Sequence, residues 1–174
     1  MGNKVTNSPK KEGKAILCML KTNVHDHTIY KIRMNELRTL VEALNIEIVD
    51  EIVQSRYKPF SKYLIGSGKV KELQRKTTKQ KVDLVIFYNI LRSSQKLNLI
   101  RALKVEVIDR FELTLEIFDR MASDKLSKLQ IQSARLEKQT PFYKLQASIN
   151  YTHDRPFFRS GGEYGFHGQL REIT

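Results

Sequence analysis

Four residues, Gly66-Ser67-Gly68-Lys69, stand between a short expected strand, Tyr63–Ile65, and a stretch of helical character. Glycines let backbone amides converge, a helix start adds partial positive charge, and Lys69 follows, so a phosphate of RNA or of a nucleotide can sit there. The spacing is not that of a Walker A loop, which needs G-x-x-x-x-G-K and then Ser or Thr; here Val70 follows Lys69. A tight strand-to-helix turn without a ligand accounts for the same residues. Just beyond it, Lys71, Lys76 and Lys79 are candidates for binding RNA phosphates.

A second constellation lies near the C-terminus, from Phe157 to Gly168. Unpaired bases stack on aromatic and guanidinium planes, and glycines let a backbone come close, which makes Arg159, Tyr164, Phe166 and His167 candidate RNA contacts. A loop whose aromatics pack on neighbouring helix ends is the plainer explanation. The four histidines (His25, His27, His153, His167) and the single Cys18 do not form a metal set, and no ordered Ser/His/Asp or paired carboxylates mark a catalytic centre. Neither a metal nor a catalytic residue is expected in this chain.

Composition narrows the class of partner. Of 174 residues, 31 are Lys or Arg and 19 Asp or Glu, a net charge of +12. Residues 55–104 carry thirteen of the cations against two acids, Glu72 and Asp83, whereas residues 15–54 are slightly acidic. A polyanionic partner follows more naturally than a solvated lysine-rich face. With one cysteine, no ~20-residue apolar span and no secretion signal, a cytoplasmic protein without a membrane span is expected.

The elements that must position these residues alternate. Residues 1–14 form a polar, basic tail. Ala15–Leu20 is an apolar strand; Asn35–Leu44 carries Leu37, Leu40, Val41 and Leu44 at helical spacing; Ile46–Val53 is β-branched. Gly66–Gln80 is helical, Val82–Tyr88 a buried strand, Ser94–Leu103 a helix with Ser93 or Ser94 as N-cap, and Val105–Ile108 a last strand. Strands alternating with helices predict an α/β fold over 15–110, a mostly parallel sheet with flanking helices.

From Phe111 to Gln139 no Gly or Pro interrupts, and Leu115, Phe118, Ala122, Leu129 and Leu136 fall at heptad-like spacing. This predicts one long projecting helix of ~29 residues, about 43 Å, ended by Pro141; two helices broken near Ser123-Asp124 are the alternative. Residues 111–174 would thus hold the helix, a Gly/aromatic-rich tip loop and the first turn of a second helix.

Glu36-Leu37, Tyr63 to Leu73, Ser94 to Leu99, Val107 to Leu113, Ile117-Phe118, Lys128-Leu129-Gln130 and the glycine-rich stretch from Arg159 to Gly168 follow one another along the chain. Taken in that order, these segments resemble the N-terminal region of the HflX family of ribosome-associated GTPases. The resemblance implies an α/β part followed by a helical hairpin, whose first arm is the long helix here, and then a GTPase domain using GTP and Mg²⁺. It also implies the large ribosomal subunit and ribosomal RNA as partners, with a role in splitting or rescuing ribosomes, and admits weak ATP binding at Gly66–Lys69. Where the family continues Gly-Pro-Gly-Glu, Gly168 is followed here by Gln169-Leu170. The chain runs to Thr174 without a P-loop or a guanine-reading Asn-Lys-x-Asp, so it is expected to be a ribosome-docking region that hydrolyses no nucleotide itself. A stand-alone adaptor that self-associates through its exposed heptad helix is the alternative; a nucleotide-binding enzyme domain built on Gly66–Lys69 lacks Mg²⁺ ligands.

Overall fold

The structure is a computed structural model and describes residues 13–23 and 27–153, with side chains up to Ile149. Four strands, β1 (Lys14–Lys21), β2 (Glu47–Ser55), β3 (Leu84–Phe87) and β4 (Glu106–Asp109), form one sheet in the order β2-β1-β3-β4. Every pairing is parallel. The apolar run Ala15–Leu20 is buried throughout because β1 is internal and covered on both faces.

Alternation along β1 divides the core. Ile16, Cys18 and Leu20 pack with Val70 and Leu73 of α2 (Ser67–Gln80) and with Leu99 and Leu103 of α3 (Ser93–Leu103). Ala15, Leu17 and Met19 face Met34, Leu37 and Val41 of α1 (His27–Glu42) and Leu113 of α4 (Arg110–Met121). The result is a doubly wound α/β/α sandwich, as the alternating pattern predicts.

Several local expectations are corrected. The first helix begins at His27, not Asn35, because its early turns turn Tyr30 and Met34 inward and leave Ile29 and Ile32 exposed, which hides the period. Tyr63–Ile65 is no strand but a turn closed by a bridge between Phe60 and Leu64. Neither Ser93 nor Ser94 caps α3; Arg92 occupies the N-cap, and its N–H donates to Gln95 Oε1 at 3.1 Å.

The expected unbroken helix from Phe111 is two helices. α4 ends at Met121, and α5 spans Lys125–His153. Asp124 Oδ1 accepts from Ser127 N–H at 2.8 Å, the capping bond that lets a new helix start there. Pro141, expected to end the helix, lies inside α5. It removes one i→i−4 bond, but Lys138 and Phe142 on either side hold α5 to the sandwich: Lys138 Nζ reaches Asp109 Oδ2 at 2.8 Å, and Lys96 Nζ lies 5.3 Å from the Phe142 ring centre. α5 therefore packs against α3 and α4. The heptad seam is not an internal interface: Leu115 is buried, but Phe118, Leu129 and Leu136 are more than half exposed, and Ala122 falls in the break.

Candidate nucleic-acid interface

Gly66, in extended conformation, is the N-cap of α2. Its N–H donates to Gln54 Oε1 at 2.7 Å, so this amide is already engaged from the end of β2. A Cβ here would lie 2.8 Å from Arg56 Nη1 and 3.2 Å from Gln54 Nε2, so a larger residue would displace the ends of these two side chains. At Gly68 an added Cβ would meet nothing, and no internal contact demands glycine there. Lys69 Nζ pairs with Glu72 Oε2 at 2.7 Å, and that hydrogen bond, first among several causes, holds the Glu72 carboxyl below its usual range. The turn therefore presents a lysine whose charge is shared with a neighbouring acid.

The three lysines singled out on α2 part company. Val70, Leu73 and Thr77 are the buried face. Lys76, on the flank, bridges Asp50 Oδ2 at 2.7 Å and Glu72 Oε1 at 3.7 Å. Lys71 and Lys79 are exposed, as is Arg75 between them. Among the described residues none of these three has a carboxylate partner. At i, i+4 and i+8 they form one outward row with steps of about 6 Å. Like charges at this spacing destabilise a helix by about 0.2–0.5 kcal/mol per pair, so the row is not explained by helix stability. Arg75 was not among the sequence candidates, although its place midway between Lys71 and Lys79 was available to find it. Arg159, Tyr164, Phe166 and His167 lie outside the described residues.

Cations and aromatic rings also meet at the carboxyl ends of β1 and β3, where the connections leave for opposite faces of the sheet. Lys21 Nζ donates to His27 Nδ1 at 3.0 Å and lies 5.1 Å from the centre of the Tyr30 ring. The Arg33 guanidinium sits between Tyr30 and Tyr88, at 5.4 and 6.0 Å from the ring centres. Backbone N–H groups of Asn23 and Thr22 donate to the Tyr30 hydroxyl, the first of these leading the causes that lower its pKa. Arg110, 5.3 Å from the Tyr88 ring centre, is neutralised by Glu36, with Nε to Oε1 at 2.9 Å. Among the described residues no group of His, Cys, Asp and Glu can hold a metal ion, and no helix is long and apolar enough to cross a membrane.

Residues 31–119 match the protein family described as GTP-binding GTPase N-terminal. The chain belongs to this family. Among curated relatives, the GTPase HflX of Thermofilum pendens is 42% identical over 132 residues, covering 75% of this chain and 31% of that protein. The GTPase HflX of Thermococcus kodakarensis is 36% identical over 138 residues, 79% of this chain and 31% of that one. The chain thus spans about a third of the length of the curated relatives it matches. A crystal structure of a GTP-binding protein from Sulfolobus solfataricus, in complex with GDP, aligns with a TM-score of 0.60 at 26% identity, covering 82% of this chain and 42% of that one. The resemblance to an HflX N-terminal region, carried at first by scattered segments, holds across the sandwich.

Proposed function

We propose that this chain is the ribosome- and RNA-docking region of an HflX-type GTP-binding protein acting in the cytoplasm on the large ribosomal subunit, in splitting or rescue. The observation that carries the docking is the outward row Lys71, Arg75 and Lys79, three cations held in line without acidic partners among the described residues. Each phosphate such a row neutralises releases condensed counterions, which drives association and makes it salt-dependent. The Mg²⁺–GTP chemistry belongs to a GTPase domain such as the relatives' names announce; the described residues offer no metal-binding cluster for it.

The test is sedimentation of the chain with separated ribosomal subunits across a salt series. Binding to the large subunit is expected, with a slope of log K against log[salt] that flattens by up to about three units when Lys71, Arg75 and Lys79 become Ala. An unchanged slope would leave these side chains as a solvated face. A second reading, self-association, draws on Phe118, Met121, Leu126 and Leu129, all exposed around the α4–α5 break.

A further inference from the structure

From Ser55 through Lys71 the chain has five cations and no acid, and tyrosine or phenylalanine stands beside or between the first three: Arg56-Tyr57-Lys58-Pro59-Phe60-Ser61-Lys62-Tyr63. The structure turns this run into a loop that leads straight into α2. Tyr57 is 85% exposed, the most exposed large apolar side chain among the described residues. Phe60 and Tyr63 stack, with ring centres 6.4 Å apart and planes at 27°. The Arg56 guanidinium lies 5.6 Å from the Phe60 ring centre, and Lys62 Nζ 5.1 Å from that of Tyr63.

The loop is exposed but held. Phe60 and Leu64 exchange two backbone hydrogen bonds, each 2.8 Å. From α3, Asn98 Nδ2 donates to Lys62 O at 3.1 Å and Gln95 Nε2 to Phe60 O at 3.3 Å. Leu64 and Ile65 are buried beneath, and Leu64 takes a left-handed φ of 67°. A bulky residue in that conformation is an outlier, kept only where its surroundings dictate it, and such outliers gather at functional positions. The ordering that binding would otherwise require is already present in the free chain.

We propose that this loop is a preformed platform for unpaired RNA, on which a base stacks against Tyr57 beside the Phe60–Tyr63 pair while Lys58 and Lys62 meet the adjoining phosphates. An aromatic face can take a base only when that base is free of its own stack, so the platform selects single-stranded over duplex RNA. The proposal rests on the RNA-docking reading and adds the form of RNA: a strand leaving the platform runs on toward the row on α2.

The experiment is an anisotropy titration of the 174-residue chain with a fluorescent RNA of about ten nucleotides, as a single strand and annealed to its complement. Tyr57→Ala should weaken single-strand binding about tenfold, leave duplex binding and the salt slope unchanged, and keep the wild-type melting temperature; Tyr57→Phe should bind as wild type. Wild-type affinity of Tyr57→Ala for the single strand, or an equal loss on both RNAs, would overturn the platform. If Tyr57→Ala is silent while the Lys71/Arg75/Lys79 triple variant flattens the slope, the platform fails and the docking row stands. If the triple variant is silent while Tyr57→Ala still loses the single strand, the row fails and the platform stands.

Discussion

Lys76 and Lys79 sit one turn apart on α2 with the same charge, yet their surroundings give them different work. Lys76 is clamped by Asp50 and Glu72; Lys79 faces solvent. Lys76→Met should therefore lower stability by no more than about 1 kcal/mol, the range for a surface ion pair, and leave RNA salt dependence alone. Lys79→Ala should leave stability alone and reduce the salt slope by about one unit. Paired urea denaturation and RNA titration separate the two. The hydrogen bond from Lys76, first among several causes, holds the Asp50 carboxyl below the usual aspartate range. Because the folded pKa is depressed, the pair adds stability above the unfolded value and loses it as pH falls through the folded one. The midpoint difference between wild type and Lys76→Met should be flat from neutrality to about pH 5 and close in stronger acid. With Val70 and Leu73 as the apolar anchors, the exposure of Lys71 and Lys79 follows from helical spacing. The capture of Lys76 was not legible, since the pairing of β1 and β2 shifts register between Ala15 and Ile16, placing Asp50 opposite Ile16; a one-residue shift decides on which side of a sheet a side chain falls.

At the scale of elements, Asp109 joins three parts of the chain. Its buried carboxylate accepts from Leu91 N–H at 3.0 Å, caps α4 through Glu112 N–H at 3.1 Å, and meets Lys138 Nζ at 2.8 Å. Asp109→Ala removes the cap and leaves Lys138, itself little exposed, without its carboxylate, so a loss of about 3 kcal/mol is expected in urea denaturation. Lys138→Met should be milder in stability, yet should speed amide exchange in α5 while β1 and β3 stay protected. The alternation of short strands and helices was plain in the sequence because β1 and β3 are apolar runs and β2 and β4 carry β-branched pairs, each followed by a stretch of helical spacing. The α4–α5 break was weighed there only as an alternative: without Gly or Pro, the Ser123-Asp124 pair directly before the new helix is its sole mark. Pro141 misled in the opposite direction. A proline weakens a helix, but long-range anchors on both sides can keep the helix whole, and those anchors lie on residues far apart in the sequence.

At the scale of the described molecule, two exposed surfaces lie on different elements. The basic loop and row belong to the α2–α3 face, while Phe118, Met121, Leu126 and Leu129 cluster around the junction of α4 and α5. If that junction pairs with a second copy, mass measured by light scattering should rise with concentration, and Met121→Asp together with Leu129→Asp should abolish the rise without changing RNA affinity. A mass that stays monomeric at every concentration removes self-association. Net charge points to a polyanionic partner, but the hydrogen bonds by which Gln95 and Asn98 hold the loop from Arg56 to Tyr63 are contacts that sequence spacing does not reveal.

The chain's one cysteine is Cys18, in the internal strand β1, completely buried, with burial pushing its thiol pKa far up. A thiol reagent can reach it only after the sheet opens, so modification at this sulfur clocks the opening of the molecule itself. Any RNA that binds only the closed form slows that clock by a factor of one plus its concentration over Kd. At a hundred times Kd the labelling should be about a hundredfold slower, and the rate would report affinity without a probe on either partner.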